Sequence, residues 1–241
     1  MLIFQENREI TFITEGRLAD RPLNAFKSLI EDENGSFDID GQKIRIKGKL
    51  ARKSYSISTK ESSQFVSGML MAGQGKFDLI YEADKSSQYI EITKDALKIF
   101  MSKPEKVYVP VDMSNYSLFY ALYKKNFIEK IMPPVARCQN DIIFVDYVNN
   151  LQGTYNLKNS IDLAPMLAAY LSTVDGVFVI SGLENLKHKE SNRLKEILRV
   201  LKFFHVACGT NGRDQIYIRG SQDKKNISCL LYTSPSPRDA T

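Results

Sequence analysis

The 241-residue sequence has no tryptophan, only two histidines and an odd count of three cysteines. Cys138, Cys208 and Cys229 stand in no metal-ligand spacing, and His188 and His205 do not complete a zinc set with them. That scarcity points to a reducing cytoplasm. No apolar run reaches the length of a membrane span, and Met1 leads into Phe4-Gln5-Glu6-Asn7-Arg8 rather than a signal peptide, so neither a membrane nor export is expected. Basic blocks interleaved with aromatics are missing as well. The formal charge is +5 and the pI near 8.9, but Lys and Arg are scattered, which fits a small anionic ligand better than a nucleic acid. With 43% hydrophobic and 25% charged residues, the composition excludes a disordered or fibrous chain.

What the sequence does have is a concentrated run, Asn185-Leu186-Lys187-His188-Lys189-Glu190-Ser191-Asn192-Arg193, followed by Leu194, Ile197, Leu198, Leu201 and Val206. Steps of three and four predict that the run opens an amphipathic helix whose buried stripe begins at Leu194. Free backbone N–H groups and the helix dipole favour an anion at such a start, with Lys189 and Arg193 projecting from one side and the Glu190 carboxylate beside them. A solvated, salt-bridged first turn would carry the same charges, and the pattern alone leaves both readings open.

Along the chain, strand and helix alternate. Glu9 to Thr14 reads as a strand, Pro22 opens a helix continued by Phe26, Leu29 and Ile30, and Arg21 flanks its start. Phe37 to Asp40, Ile44 to Lys47 and Tyr55 to Ser58 read as a hairpin plus a third strand. A grammar of strand, hydroxyl-rich junction and helix then recurs. Tyr55 to Ser58 leads through Ser62-Ser63-Gln64 into Phe65 to Ala72. Phe77 to Glu82 leads through Ser86 and Tyr89 to Phe100, and Val107 to Val111 through Asp112 to Leu122. Each junction taken singly is an N-cap, and several together would make a phosphate site. Ile142 to Val148 fits strand or helix. Asp162 caps the helix Met166 to Leu171, Val177 to Ile180 is a buried strand, and Ile216 to Ile218 is a last one. The two Ser-Pro steps from Ser234 to Pro237 break with everything before them, and residues 227–241 read as a foreign or disordered tail.

These segments, from about Ile10 to about Gly220, resemble the 5-enolpyruvylshikimate-3-phosphate synthase family. Lys189-Glu190-Ser191-Asn192-Arg193 is similar to its Lys-Glu-Ser/Thr-Asp-Arg motif, and Ser62-Ser63-Gln64 with Phe65 and Ser67 is similar to its Ser-Ser-Gln helix start. The resemblance implies an α/β (α+β) class of fold in two domains built of repeated β-α-β-α-β-β units, here as a partial copy. Residues 1–103 would form part of an upper domain and residues 106–226 part of a lower one, with the crossing at Pro104. It further implies transfer of the enolpyruvyl group of phosphoenolpyruvate to shikimate 3-phosphate in aromatic amino acid biosynthesis, with no metal or organic cofactor and a monomeric full-length form. Ser62, Ser63, Ser86 and Tyr89 would hold shikimate 3-phosphate, with Gln64 against its ring and Asn185 toward its phosphate end. Arg21 and Arg193 would bind phosphoenolpyruvate, Asp162 would be the base near the 5-hydroxyl, and Lys189 and Glu190 would move protons.

Departures accompany the likeness. The family's opening Lys-Ser…Arg segment, Asn-Ala-Gly loop and late Asp-His-Arg motif are absent, Asn192 replaces an aspartate, Asn140 replaces a glycine, and Phe100 to Lys106 is short for the hairpin expected there. A non-catalytic anion-binding fragment or pseudoenzyme of the same fold is therefore the alternative. The related transferase acting on UDP-N-acetylglucosamine lacks the Lys189 to Arg193 run, which decides against it.

Overall fold

The computed structural model describes residues 8–16, 23–59, 62–82, 87–129, 139–188 and 192–221. It opens with β1 (Glu9–Ile13), α1 (Asn24–Glu31), β2 (Ser36–Asp40) and β3 (Lys43–Lys47), the strands forming an antiparallel sheet in the order β1-β3-β2. Alternation along β3 turns Ile44 and Ile46 inward, where they pack with Phe37 and with Ile30 of α1.

Next come β4 (Ser54–Ser56), α2 (Gln64–Gly73), β5 (Asp78–Ile80) and α3 (Ser87–Ser102), with β4 and β5 parallel and Tyr55 opposite Leu79. After α4 (Met113–Lys124), a 3₁₀ turn over Asn140–Ile142 and α5 (Ile143–Asn149), the same order returns. It runs β6 (Thr154–Asn156), a 3₁₀ turn Ile161–Leu163, α6 (Ala164–Ser172), β7 (Gly176–Ser181), a 3₁₀ turn Glu184–His188, α7 (Arg193–Phe203), β8 (Ala207–Thr210) and β9 (Ile216–Gly220). The sheet order is β6-β7-β9-β8, with β6 parallel to β7 and both other pairs antiparallel. This is one full β-α-β-α-β-β unit, and β4-α2-β5-α3 is the first part of another.

The repeat extends to single bonds. Tyr55 and Tyr155 are both buried, and the hydroxyl of each accepts from the backbone N–H three residues before it, from Arg52 and Gln152, at 2.8 Å in both cases. After each strand the next N–H reaches across the parallel pair, Ile57 to Ile80 at 3.0 Å and Leu157 to Ser181 at 2.9 Å. Position 62 thus corresponds to position 162: both lie just ahead of the first helix of their unit, α2 or α6. Gly182 lets β7 leave close to this junction. Its φ is +79°, and a Cβ there would stand 2.5 Å from the Lys158 nitrogen.

The core falls into separate clusters. One joins Leu29, Tyr55, Phe65, Val66, Met69 and Ile90, and a much larger one joins residues between Met113 and Ile218, with Tyr155, Leu163, Leu167, Ile180 and Leu186 at most 1% exposed.

Two expectations change and one open reading is resolved. Val107 to Val111 is not a strand: no ladder partner exists for it among the described residues, Pro110 has no N–H to give one, and Tyr108 and Val109 are 89% and 85% exposed. Ile143–Asn149 resolves as a helix, its Phe144 and Val148 buried one turn apart. The amphipathic helix begins only at Arg193, later than the charged run suggests, because the Asn192 side chain accepts from the Lys195 N–H at 3.1 Å and caps it. Its stripe, Leu194, Ile197 and Leu201, is buried as the spacing requires. Asn and Asp cap almost equally well, so the exchange of the motif's aspartate for Asn192 is structurally neutral there.

Candidate functional site

The site is built from helix starts of both repeat units. Ser62 and Ser63 precede α2. The Ser62 hydroxyl accepts from the Gln64 N–H at 3.2 Å, Ser63 is buried, and Gln64 is exposed. Tyr89 lies in the first turn of α3. The two helices are tied one turn further on, where the Thr93 hydroxyl donates to the Tyr89 carbonyl at 2.7 Å and can accept from the Ser67 hydroxyl at 2.8 Å. Since Ser67 follows Ser63 by four residues, as Thr93 follows Tyr89, the two starts sit at one level.

Asp162 lies in the 3₁₀ turn before α6, with Pro165 in the first turn of that helix. Its carboxylate joins the two halves of the chain: Oδ2 accepts from the Tyr89 hydroxyl at 2.9 Å, and Oδ1 accepts from Nη1 of Arg193, the first residue of α7, at 2.7 Å. Three helix starts thus converge on one carboxylate, which is 24% exposed while the arginine is 36% exposed. Burial first, and then the Asp162 and Asp141 carboxylates, push the Tyr89 phenol far above the ordinary tyrosine range, so it serves as a donor and not as a base. A carboxylate held between a cation and a neutral donor, partly open to solvent, can accept a proton from a hydroxyl placed in hydrogen-bond reach.

Asn185 is exposed on the 3₁₀ turn ahead of α7, and no bond joins it to the Tyr89–Asp162–Arg193 group among the described contacts. Arg21, Ser86, Lys189 and Glu190 lie outside the described residues. Among the described residues no group of three His, Cys, Asp or Glu stands together as a metal would need, and no helix is long and apolar enough to cross a membrane.

Sequence reading missed a second polar group beside the first. Asp141, 5% exposed, takes side-chain hydrogen bonds from Ser160 and Gln88, while its Oδ1 has no partner among the described residues. Burial raises its carboxyl to about 6, the Ser160 bond opposes this, Asp162 adds to it, Gln88 opposes it and Asp112 adds to it. In sequence Asp141 looks like an ordinary acid at a helix start. Its partners lie 19 and 53 positions away along the chain, so no local spacing could announce them.

No protein-family model matches the chain. Among curated proteins it is similar to the 3-phosphoshikimate 1-carboxyvinyltransferase of Clostridium kluyveri, at 26% identity over 90% of this chain and 61% of that protein. It is also similar to that of Aeropyrum pernix, at 28% identity over 64% of this chain and 45% of that protein, and to that of Sulfurisphaera tokodaii, at 28% over 86% and 60%. The chain therefore spans about three fifths or less of the length of these relatives. Among solved structures, EPSP synthase from Acinetobacter baumannii matches with a TM-score of 0.53 over 94% of this chain and 63% of that one, at 15% identity, which establishes a shared fold. The chain is thus similar in sequence to 3-phosphoshikimate 1-carboxyvinyltransferases and carries part of the fold of EPSP synthase.

Proposed function

We propose that the chain is part of a cytoplasmic 3-phosphoshikimate 1-carboxyvinyltransferase, which moves the enolpyruvyl group of phosphoenolpyruvate to the 5-hydroxyl of shikimate 3-phosphate. The observation that carries the reading is the Tyr89–Asp162–Arg193 chain, a donor, a carboxylate and a cation brought from three helix starts to one point. In this reading residues 1–103 belong to the domain that holds shikimate 3-phosphate and residues 106–226 to the second domain. Separate core clusters on the two sides of Pro104 support that division.

Asp162 is the base. As the 5-hydroxyl oxygen bonds to C2 of phosphoenolpyruvate, its proton passes to the carboxylate, and C3 takes a proton from Lys189 or Glu190. The C2–O bond to phosphate then breaks as the new methyl group loses a proton, restoring the double bond. Ser62, Ser63, Ser86 and Tyr89 hold shikimate 3-phosphate with Gln64 and Asn185, and Arg21 and Arg193 neutralise phosphoenolpyruvate. Several charges fixed in advance are what such a reaction needs, since developing charge is then met without reorganisation.

The partial length favours a narrower activity for these 241 residues taken alone: binding without transfer. Titration calorimetry should give measurable affinity for shikimate 3-phosphate and weaker affinity for phosphoenolpyruvate, whose cations come from both halves. A coupled assay should show no phosphate release. Release that depends on both substrates would sink the second expectation, and tighter binding of phosphoenolpyruvate the first.

Arg193→Lys separates the two ligands. A planar fork that meets a carboxylate in two directions is not replaced by a point charge. Phosphoenolpyruvate binding should weaken on the order of tenfold or more, with shikimate 3-phosphate affinity little changed. Equal losses for both ligands would mean that Arg193 serves only to hold Asp162.

A further inference from the structure

Gln88 precedes Tyr89 on the first turn of α3, and successive residues of a helix diverge by about 100°, so the two side chains leave in different directions. Tyr89 goes to Asp162. Gln88, 4% exposed, goes to two backbone groups of the other half of the chain. Its Oε1 accepts from the Asn140 N–H, and its Nε2 donates to the Asn159 carbonyl at 3.0 Å and also bonds the Asp141 carboxylate. Asn159 stands three residues before Asp162, and Asn140 opens the turn that carries Asp141.

We infer that Gln88 is a positioning residue: it pins the start of α3 to the 140–141 and 159–160 segments and so sets the register in which Tyr89 meets Asp162. The chemistry of the pin is specific to an amide. One partner is a backbone donor and the other a backbone acceptor, so the side chain must offer both functions at once. A carboxylate could accept from Asn140 but not donate to Asn159, and it would face Asp141. An apolar side chain would leave a buried N–H and a buried C=O unpaired. The Tyr89–Asp162 bond ties the start of α3 to the 3₁₀ turn before α6, only three residues beyond the Asn159 carbonyl that the pin holds.

The test reads Tyr89 directly. Tyrosine labelled with ¹³C at the ring carbon bearing oxygen is followed by NMR up to pH 11, and the Tyr89 resonance is assigned by its loss in Tyr89→Phe. Circular dichroism on the same samples shows which are folded. In the wild-type chain Tyr89 should remain neutral throughout, although phenols in water ionise near pH 10. In Gln88→Met and Gln88→Glu it should titrate within the range, at least one pH unit earlier. Asn140→Pro is the second route. Gln139 is already extended, with φ −104° and ψ 107°, as the residue before a proline requires, so this change removes the N–H and leaves Gln88 intact. It should release Tyr89 as well, and it keeps the inference open to failure if Gln88→Met does not fold.

A merely structural role for Gln88 would lower the melting temperature and leave the Tyr89 titration where it was. That result in folded Gln88→Met and Asn140→Pro, or a wild-type Tyr89 that ionises near pH 10, overturns the inference. The consequence for ligand rests on the function proposed above: affinity for shikimate 3-phosphate should fall about tenfold in the same variants. A wild-type chain that does not bind that ligand, yet whose Tyr89 titration depends on Gln88, would refute the functional reading and support the pin.

Discussion

Asp162→Asn, in a parent enzyme that supplies the rest of the family's length, is expected to lower turnover on the order of a thousandfold while the protein stays folded and still binds shikimate 3-phosphate. The geometry says why the two effects separate. The amide oxygen keeps an acceptor for Nη1 of Arg193, now at 2.7 Å from Oδ1. The amide nitrogen then faces the Tyr89 hydroxyl, which stands 2.9 Å from Oδ2 and can rotate to accept instead of donate. What the amide cannot do is take a proton, and a positioned base contributes about 10²–10⁴ in rate. Steady-state kinetics beside calorimetry would settle the matter. Turnover within tenfold of the wild type would remove Asp162 from the base role, and a parallel collapse of binding would make it a structural bridge.

The architecture was legible where the hydrophobic pattern had room to repeat. The β2–β3 hairpin, α2 and the stripe of α7 follow from Phe37, Ile44 and Ile46, from Phe65, Val66 and Met69, and from Leu194, Ile197 and Leu201. Two short strands were not legible. β6 and β8 have three and four residues, too few for an alternation to stand out. For β6 a signal existed in the likeness of Ser54-Tyr55-Ser56-Ile57 to Thr154-Tyr155-Asn156-Leu157, one hundred positions on. Val107 to Val111 shows the opposite failure: its residues favour a strand, but a strand exists only where another one offers its N–H and C=O groups.

At the site, chemistry by residue type was legible and assembly was not. Asp162 and Tyr89 each read as an ordinary helix-start residue, and nothing local says that one hydroxyl reaches the other's carboxylate across 73 positions. Arg193 was read together with Lys189 as one face of a helix, whereas the helix starts at Arg193 and its guanidinium turns to Asp162. Gln88 and Asp141 were invisible because buried polar groups declare themselves only by their partners.

Asp141 gives the last expected result, with a sign opposite to that of most buried-site changes: Asp141→Asn should stabilise the chain above pH 7. The native carboxyl ionises near 6 and the unfolded one near 3.8, chiefly because burial disfavours the charge. Between those values the folded state binds the extra proton, so stability conferred by the protonated form is fully present below about pH 4 and is lost as pH rises through 6. Above that the ionised group costs about 3 kcal/mol. The Ser160 and Gln88 bonds can pass to the amide oxygen of asparagine, which has no charge to desolvate and does not repel Asp162 or Asp112. Against this stands Oδ1, which has no partner among the described residues; an amide N–H placed there goes unpaired, at a cost of about 1–3 kcal/mol, about 2 at mid-range. The first quantity exceeds the second. The variant should therefore melt roughly 3–6 °C higher at pH 8 and no higher than the wild type at pH 4, where both side chains are neutral. Thermal unfolding at the two pH values is sufficient: a difference between variant and wild type that is the same at both would mean that Asp141 is not ionising inside this cluster.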